Sequence, residues 1–302
     1  MKTAVILFVF NRPLHTSKVL AGLKKNSVEK LYVFCDGPRN SIDFEKVEEV
    51  KELVNSINWC HVELTAHNKN KGLAQSVIDG ITEVVNLGYD SVIVLEDDCV
   101  PKEGFINYMK NALNFYENDD EVMHVSGFGL PINKHTKADT YFTPYPCSWG
   151  WGTWAKYWNN CDFNNTQRYK NLLADKRMIE KFNYSGEAFS EFLQMQLDGH
   201  VNSWLIRWYF YIFENSGRCV WRYESLIENK GFDGSGVHKN KLDRFNQKAK
   251  NTVLSNSNYK FEVNKTYNKG LIKEFRRHFM GKKLIEKIKT TIYLITGKIV
   301  GK

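Results

Sequence analysis

The chain has 302 residues, 42% of them hydrophobic and 25% charged, with a formal net charge of +8. At 35.2 kDa and a mean hydropathy of −0.46 it has the make-up of one large α/β domain with appendages, or of two small domains. Collagen-like or Pro-rich character is excluded by 20 Gly and 6 Pro, long disorder by 8 Trp, 15 Tyr and 19 Phe, and a multi-span membrane protein by the lack of an uncharged apolar run of roughly 18 residues.

The apolar run at 4–10 leads into Asn11-Arg12-Pro13 and not into a small-residue cleavage site. It therefore reads as a buried first strand, not as a signal peptide, and the protein is expected in the cytoplasm. A helical pattern follows at 14–25 and a second strand at 31–35. Val47, Val50, Val54 and Ile57 recur at helical spacing, 61–65 reads as a strand, and Leu73, Val77, Ile78, Ile81, Val84 and Val85 form another helix face. The run 91–95 is a further apolar strand. Strand and helix alternating in this way predict a mostly parallel sheet flanked by helices, with ligands beyond the carboxyl ends of the strands. Beyond it a helix is expected at 105–116, a strand at 122–126 and an aromatic, Gly-rich loop over 141–158. Helices at about 168–182, 187–198 and 203–215 and short strands near 218–221 and 225–228 complete the body. Residues 239–268 form a polar connector. The six cysteines are scattered without metal-type spacing and read as buried free thiols.

The charge is localised. Residues 269–302 hold ten Lys/Arg against Glu274 and Glu286, which accounts for the entire net charge and leaves the rest of the chain balanced. The basic balance thus belongs to a tail, and a nucleic-acid-binding body is not implied. In the tail Leu271, Phe275, Phe279, Leu284, Ile285, Ile288, Ile292, Ile295 and Ile299 make an apolar stripe broken at Gly281 and Gly297, with the basic residues on the other faces. A basic amphipathic tail of this kind is expected at a membrane surface; packing on the body or on a second subunit is the alternative.

The strand at 91–95 runs directly into Glu96-Asp97-Asp98. Three carboxylates at one strand end repel one another unless a cation neutralises them, and hard divalent ions take such oxygens and share them with substrate phosphates. The alternative has Asp97 and Asp98 cap a helix beginning near Pro101. Phe10-Asn11-Arg12-Pro13, Phe34-Cys35-Asp36-Gly37 and Asn70-Lys71-Gly72-Leu73-Ala74 also fall at strand ends. Taken singly, the first reads as a helix start with Pro at its first position and the second as a plain turn. A Gly-rich segment, 231–236, ends in Val237-His238, and Ser148-Trp149-Gly150-Trp151 offers flat rings of the kind that stack on a pyranose, with core filler over the sheet edge as the alternative.

These four strand-end motifs together resemble a GT-A-fold glycosyltransferase, similar to bacterial sugar transferases related to the N-acetylglucosaminyltransferase I family. The resemblance covers 4–238 and implies an α/β catalytic domain over 1–238, with a nucleotide-sugar half (1–126) and an acceptor half (127–238). It further implies Asn11, Arg12 and Asp36 around the nucleotide, Asp36 at the base, with Asn70 and Lys71 in the donor set. Glu96 and Asp97 would hold the ribose or donor sugar, and Asp98, with His238, a Mn²⁺ or Mg²⁺ ion bridging the diphosphate. Trp149 and Trp151 are expected to meet the acceptor. The general base of the resembled family lies just before a helix-opening Trp, where this chain has Val201-Asn202-Ser203-Trp204. Asp198, one turn earlier, is the candidate, with Glu187 and Glu191 behind it, and retention of configuration without a base is the alternative. The expected activity is metal-dependent transfer of a hexosyl or N-acetylhexosaminyl group from a nucleotide-diphosphate sugar of the UDP-sugar type. Inversion is the expected outcome, and the expected acceptor a glycan or lipid-linked glycan in surface-polysaccharide assembly at the inner face of the plasma membrane. A sugar-phosphate nucleotidyltransferase is the alternative enzyme, although 10–13 lacks the glycines of its pyrophosphate loop. A non-enzymatic lectin-like or membrane-binding protein would leave Glu96-Asp97-Asp98 unexplained.

Overall fold

The alternation of apolar strands and striped helices folds, in a computed structural model that describes residues 1–235, 245, 247 and 258–279, into an α/β body. Its first half consists of β1 (Thr3–Val9), α1 (Pro13–Lys25), β2 (Lys30–Cys35), α2 (Ser41–Asn55), β3 (His61–Ala66), α3 (Leu73–Asn86) and β4 (Ser91–Glu96). After these come β5 (Cys99–Pro101), α4 (Phe105–Phe115), β6 (Val122–Ser126), β7 (Thr140–Thr143), β8 (Trp151–Trp154) and α5 (Ala155–Trp158). The remainder is α6 (Thr166–Ala174), α7 (Lys176–Phe182), α8 (Phe189–Leu197), α9 (Trp204–Glu214), β9 (Arg218–Arg222), β10 (Ile227–Asn229) and α10 (Lys269–Phe279).

Eight strands form one sheet in the order β3-β2-β1-β4-β8-β6-β9-β7, and β5 pairs with β10 in a second, two-stranded sheet. The pairs β3-β2, β2-β1, β1-β4 and β6-β9 are parallel, while β8 and β7 run against their neighbours. The expected mostly parallel sheet flanked by helices is therefore present. Its register sets Phe8 beside Phe34 on one side and Glu96 on the other, so the residues that follow these three strands emerge together at one edge. The antiparallel pairing of Asn229 with Cys99 returns the chain after β10 to Asp98.

Three expectations are corrected. Residues 141–158 are not a loop: they hold most of β7 and all of β8, and β8 sits inside the sheet between β4 and β6. Gly152 belongs there because a Cβ would lie 2.7 Å from the Val92 carbonyl oxygen, so the strand needs the missing side chain. Pro101 starts no helix; it closes β5, and α4 begins at Phe105 behind Gly104. For the start of the tail the alternative, packing on the body, is what is observed, and the described end of the connector packs there too. Tyr116 donates its hydroxyl to the Glu262 carbonyl (2.6 Å), Phe261 packs on Phe115 and Tyr116, and Leu271, Ile272 and Phe275 of α10 are buried. Phe275 meets Trp221 edge-on at 5.0 Å, and Phe279 reaches Tyr145 and Phe189. Burying three such side chains contributes roughly 1.5–3 kcal/mol each, so the first third of the tail belongs to the body. Residues 280–302 and His238 lie outside the described residues. All six cysteines are free thiols, four of them buried.

Candidate active site

Beyond the carboxyl ends of β1, β2 and β4 lies a cavity of about 280 Å³. Phe8, Phe10 and Phe34 give it apolar surface, and Asn11, Arg12, Asp36, Asn70, Glu96 and Asp97 supply polar groups. The first turn of α3 and residues Gly234 and Ser235 close it. Six of the residues expected around a donor thus share one cavity, although more than 80 residues separate the first from the last. Pro13 is the first residue of α1, so the helix-start reading of 11–13 also holds, and the two roles are compatible.

The carboxylates are held by a guanidinium. Arg12 donates through Nε to Asp97 Oδ2 (3.2 Å) and through its terminal nitrogen to Asp97 Oδ1, a bidentate pair. The same terminal nitrogen stands 3.1 Å from Asp98 Oδ2. Burial lowers the affinity of Arg12 for its proton, but the charges of Asp97 and Asp98 outweigh that and raise it. Burial, then repulsion by Asp98 and Asp97, pushes the Glu96 carboxyl up to about 8, and Arg12 offsets this only in part. Burial pushes the Asp97 carboxyl up as well, and its pairing with Arg12 opposes this, so three carboxyl groups meet a single guanidinium here.

Asp98 lies under the segment that follows β10. Its carbonyl accepts from Lys230 N (2.8 Å), and its Oδ1 accepts from the Cys99 thiol (3.3 Å). A Cβ on Gly231 would fall 2.3 Å from Asp98 Oδ2, so only glycine admits this approach. His15, on the first turn of α1, reaches the Lys230 carbonyl (3.2 Å) and Asp233 Oδ2 (3.1 Å) and pins the segment from the opposite side.

Asp36 is buried and fully engaged. Oδ1 accepts from the backbone N–H groups of Gly37 (2.9 Å) and Lys71 (2.8 Å), and Oδ2 from Asn70 Nδ2 (2.9 Å) and Gly72 N (2.9 Å). Four donors fill the acceptor directions of a carboxylate. Asp36 therefore fastens the loop before α3 to the end of β2 and forms cavity wall; it has no lone pair left for a base. Lys71 serves the site through its backbone only, its ammonium being exposed and paired with Asp79 at 3.0 Å.

Arg39, at the cavity mouth, was not expected. Its guanidinium lies 5.0 Å from the Phe10 ring centroid and binds Asp43, which also accepts from Asn11. The only trace in the sequence is a basic residue shortly after the end of β2, which surface helices share.

The acceptor-side residues are not brought to this cavity. Trp151 is fully buried, stacked on His124 (5.1 Å) and Trp204 (4.8 Å), and no ring face is left for a sugar. Trp149 is half-buried, edge-on to Phe128, Phe232 and Phe245, and borders a separate aromatic cavity of about 110 Å³. Asp198 is exposed at the end of α8, accepts from Gln194 Nε2 (2.8 Å), and is absent from the cavity lining. Glu187 faces Arg276 at 3.9 Å, and neither it nor Glu191 lines the cavity.

No protein-family model and no curated protein matches this chain. Among solved structures it is similar to S. aureus TarS 1–349 (TM-score 0.40, 10% identity, 75% of this chain and 59% of that one). A mannosyltransferase from Pyrobaculum calidifontis, PcManGT, in complex with GDP-Man and Mn²⁺, matches with a TM-score of 0.39 and 10% identity over 70% of this chain and 74% of its own. A CMP:2-keto-3-deoxy-manno-octonic acid synthetase complexed with CTP gives 0.34 and 13% over 66% and 87%. This chain thus spans less than two thirds of the TarS chain. At these scores the likeness transfers no residue role and no activity.

Proposed function

We propose that this protein transfers a sugar from a nucleotide-diphosphate sugar to a saccharide or lipid-linked saccharide, with Asn11, Arg12, Asn70, Glu96 and Asp97 around the donor. The observation that carries this reading is the Arg12–Asp97–Asp98 cluster at the ends of three parallel strands: Arg12 and Asp97 line a cavity close to the roughly 300 Å³ lower limit of ligand sites, and Asp98, outside the lining, adjoins it through Arg12. Three carboxyl groups share one guanidinium, a poor setting for a diphosphate unless a further cation joins them. The donor set suits a hard divalent ion. Among the described residues no three His, Cys, Asp or Glu side chains converge on one point, but Mg²⁺ and Mn²⁺ commonly take one or two carboxylates and complete their shell with substrate phosphates. Asp98 would hold such an ion, with His238 the second protein ligand proposed. When bound, the ion offsets the charge that builds on the leaving diphosphate. The chain's own residues do the positioning: Asp36 fixes the loop carrying Asn70, Asp97 orients Arg12, and Phe8 and Phe34 keep one wall dry.

We assign membrane contact to residues 280–302, where Lys282, Lys283, Lys287, Lys289, Lys298 and Lys302 oppose Glu286 alone. No described helix is long and apolar enough to cross a membrane, and interfacial attachment at the inner face of the plasma membrane suits a lipid-linked acceptor. Incubation with a panel of nucleotide sugars, with and without Mn²⁺, tests the activity. Release of nucleoside diphosphate that depends on Mn²⁺ is expected; release of pyrophosphate from a nucleoside triphosphate and a sugar phosphate would make the protein a nucleotidyltransferase, and neither would remove the enzyme reading.

A further inference from the structure

Arg12 does more than line the donor cavity. Its Nε and terminal nitrogen grip both oxygens of Asp97, and that terminal nitrogen alone also touches Asp98 Oδ2 at 3.1 Å. One guanidinium therefore has a firm partner and a second partner that it can release without losing the first. The surroundings favour the second contact while no other cation is present. Arg12 and Asp98 are both largely buried, with side chains 15% and 14% exposed, and Gly231 and Lys230 lie directly against Asp98. In such a place an uncompensated carboxylate is costly. A divalent ion on Asp98 would stand beside the guanidinium, and the two positive charges would repel each other in a poorly screened setting.

We infer that Arg12 is the resident counter-cation of Asp98 and that a metal ion must displace it, while the bidentate grip on Asp97 acts as the pivot. Arg12 is a positioning residue in this account, and it sets how tightly the metal is held before any nucleotide arrives. Arg12 lines the cavity, so the released nitrogen would be placed to meet a donor diphosphate. The inference rests on the assignment of Asp98 as metal ligand made above.

Mn²⁺ binding to the full chain without nucleotide, followed by loss of the free-ion paramagnetic resonance signal, tests it apart from activity. Arg12→Gln should bind Mn²⁺ at least tenfold more tightly than wild type, about 1.4 kcal/mol. Arg12→Lys, which keeps a charge but not the fork, should fall between them and serves if the Gln variant does not fold. Arg39→Gln removes a positive charge from the same cavity but one bound to Asp43, and should leave the affinity unchanged; an equal gain there would reduce the effect to bulk charge and overturn the inference. Adding Asp98→Asn to Arg12→Gln should abolish the gain. Wild-type binding with no gain in either Arg12 variant overturns displacement but leaves the metal assignment standing. Absence of binding in all forms overturns both.

Discussion

Replacing Asp36 by Asn is the sharpest test of how the cavity is built, because it changes one atom and almost no volume. The carboxylate receives four hydrogen bonds, two per oxygen. An amide keeps one carbonyl oxygen and turns its NH₂ toward the other two donors, so two bonds are lost whichever way it sits. Hydrogen bonds to a charged acceptor contribute about 1.5–3 kcal/mol each, which places the loss at roughly 3–6 kcal/mol against a typical total of 5–15. The loop before α3 can also detach alone and limit the global cost. Guanidinium unfolding reads the first outcome, and hydrogen exchange at the Lys71 and Gly72 amides reads the second. A loss below ~1 kcal/mol together with unchanged protection of both amides would refute the latch.

Three further outcomes are expected. Trp151→Ala should lower stability by about 3–5 kcal/mol, the range for emptying a large core site, with no specific effect on acceptor KM; a raised KM at near wild-type stability would restore Trp151 to the acceptor site. Burial holds the His124 imidazole down at about 3, so the fold favours the neutral ring, and stability is full above pH 6.5 and falls toward pH 3. From pH 6.5 to 5 the loss is about 2 kcal/mol, and urea unfolding of His124→Gln over the same range should show a shallower slope than wild type. In liposome flotation with anionic vesicles, a chain ending at Phe279 should stay folded and lose vesicle binding, whereas one ending at Asn268 should be unstable, because it lacks α10; equal flotation of the full chain and the Phe279 form would remove the membrane assignment.

Much of this was legible in the sequence because burial on both faces leaves its mark. The apolar strands β1, β2 and β4 and the stripes of α2 and α3 stand out by periodicity, and strand ends locate Asn11, Asp36 and Glu96 without tertiary information. β8 was not legible: four residues with a central glycine look like a loop until Val92 and Ile93 are known to lie beside them. Trp151 misled for the same reason, since an aromatic ring near glycines suits a binding loop and a tight sheet equally well. The apolar stripe of α10 has one periodicity whether it faces lipid or Trp221, so only packing decides between them. The Arg12–Asp97 pair joins residues 85 apart, and the sequence carried both members but not their contact, which left the carboxylates as bare acids awaiting a metal.

Under the proposed function this cavity holds a nucleoside diphosphate, and Asp98, beside it behind Arg12, a divalent ion. Calorimetric titration of UDP in the presence of Mn²⁺ tests it most directly, with wild type and Asp98→Asn side by side and circular dichroism to show that both are folded. Binding by wild type should need Mn²⁺ and be lost in Asp98→Asn. Equal affinity of the two proteins, or binding by wild type that ignores Mn²⁺, would contradict it.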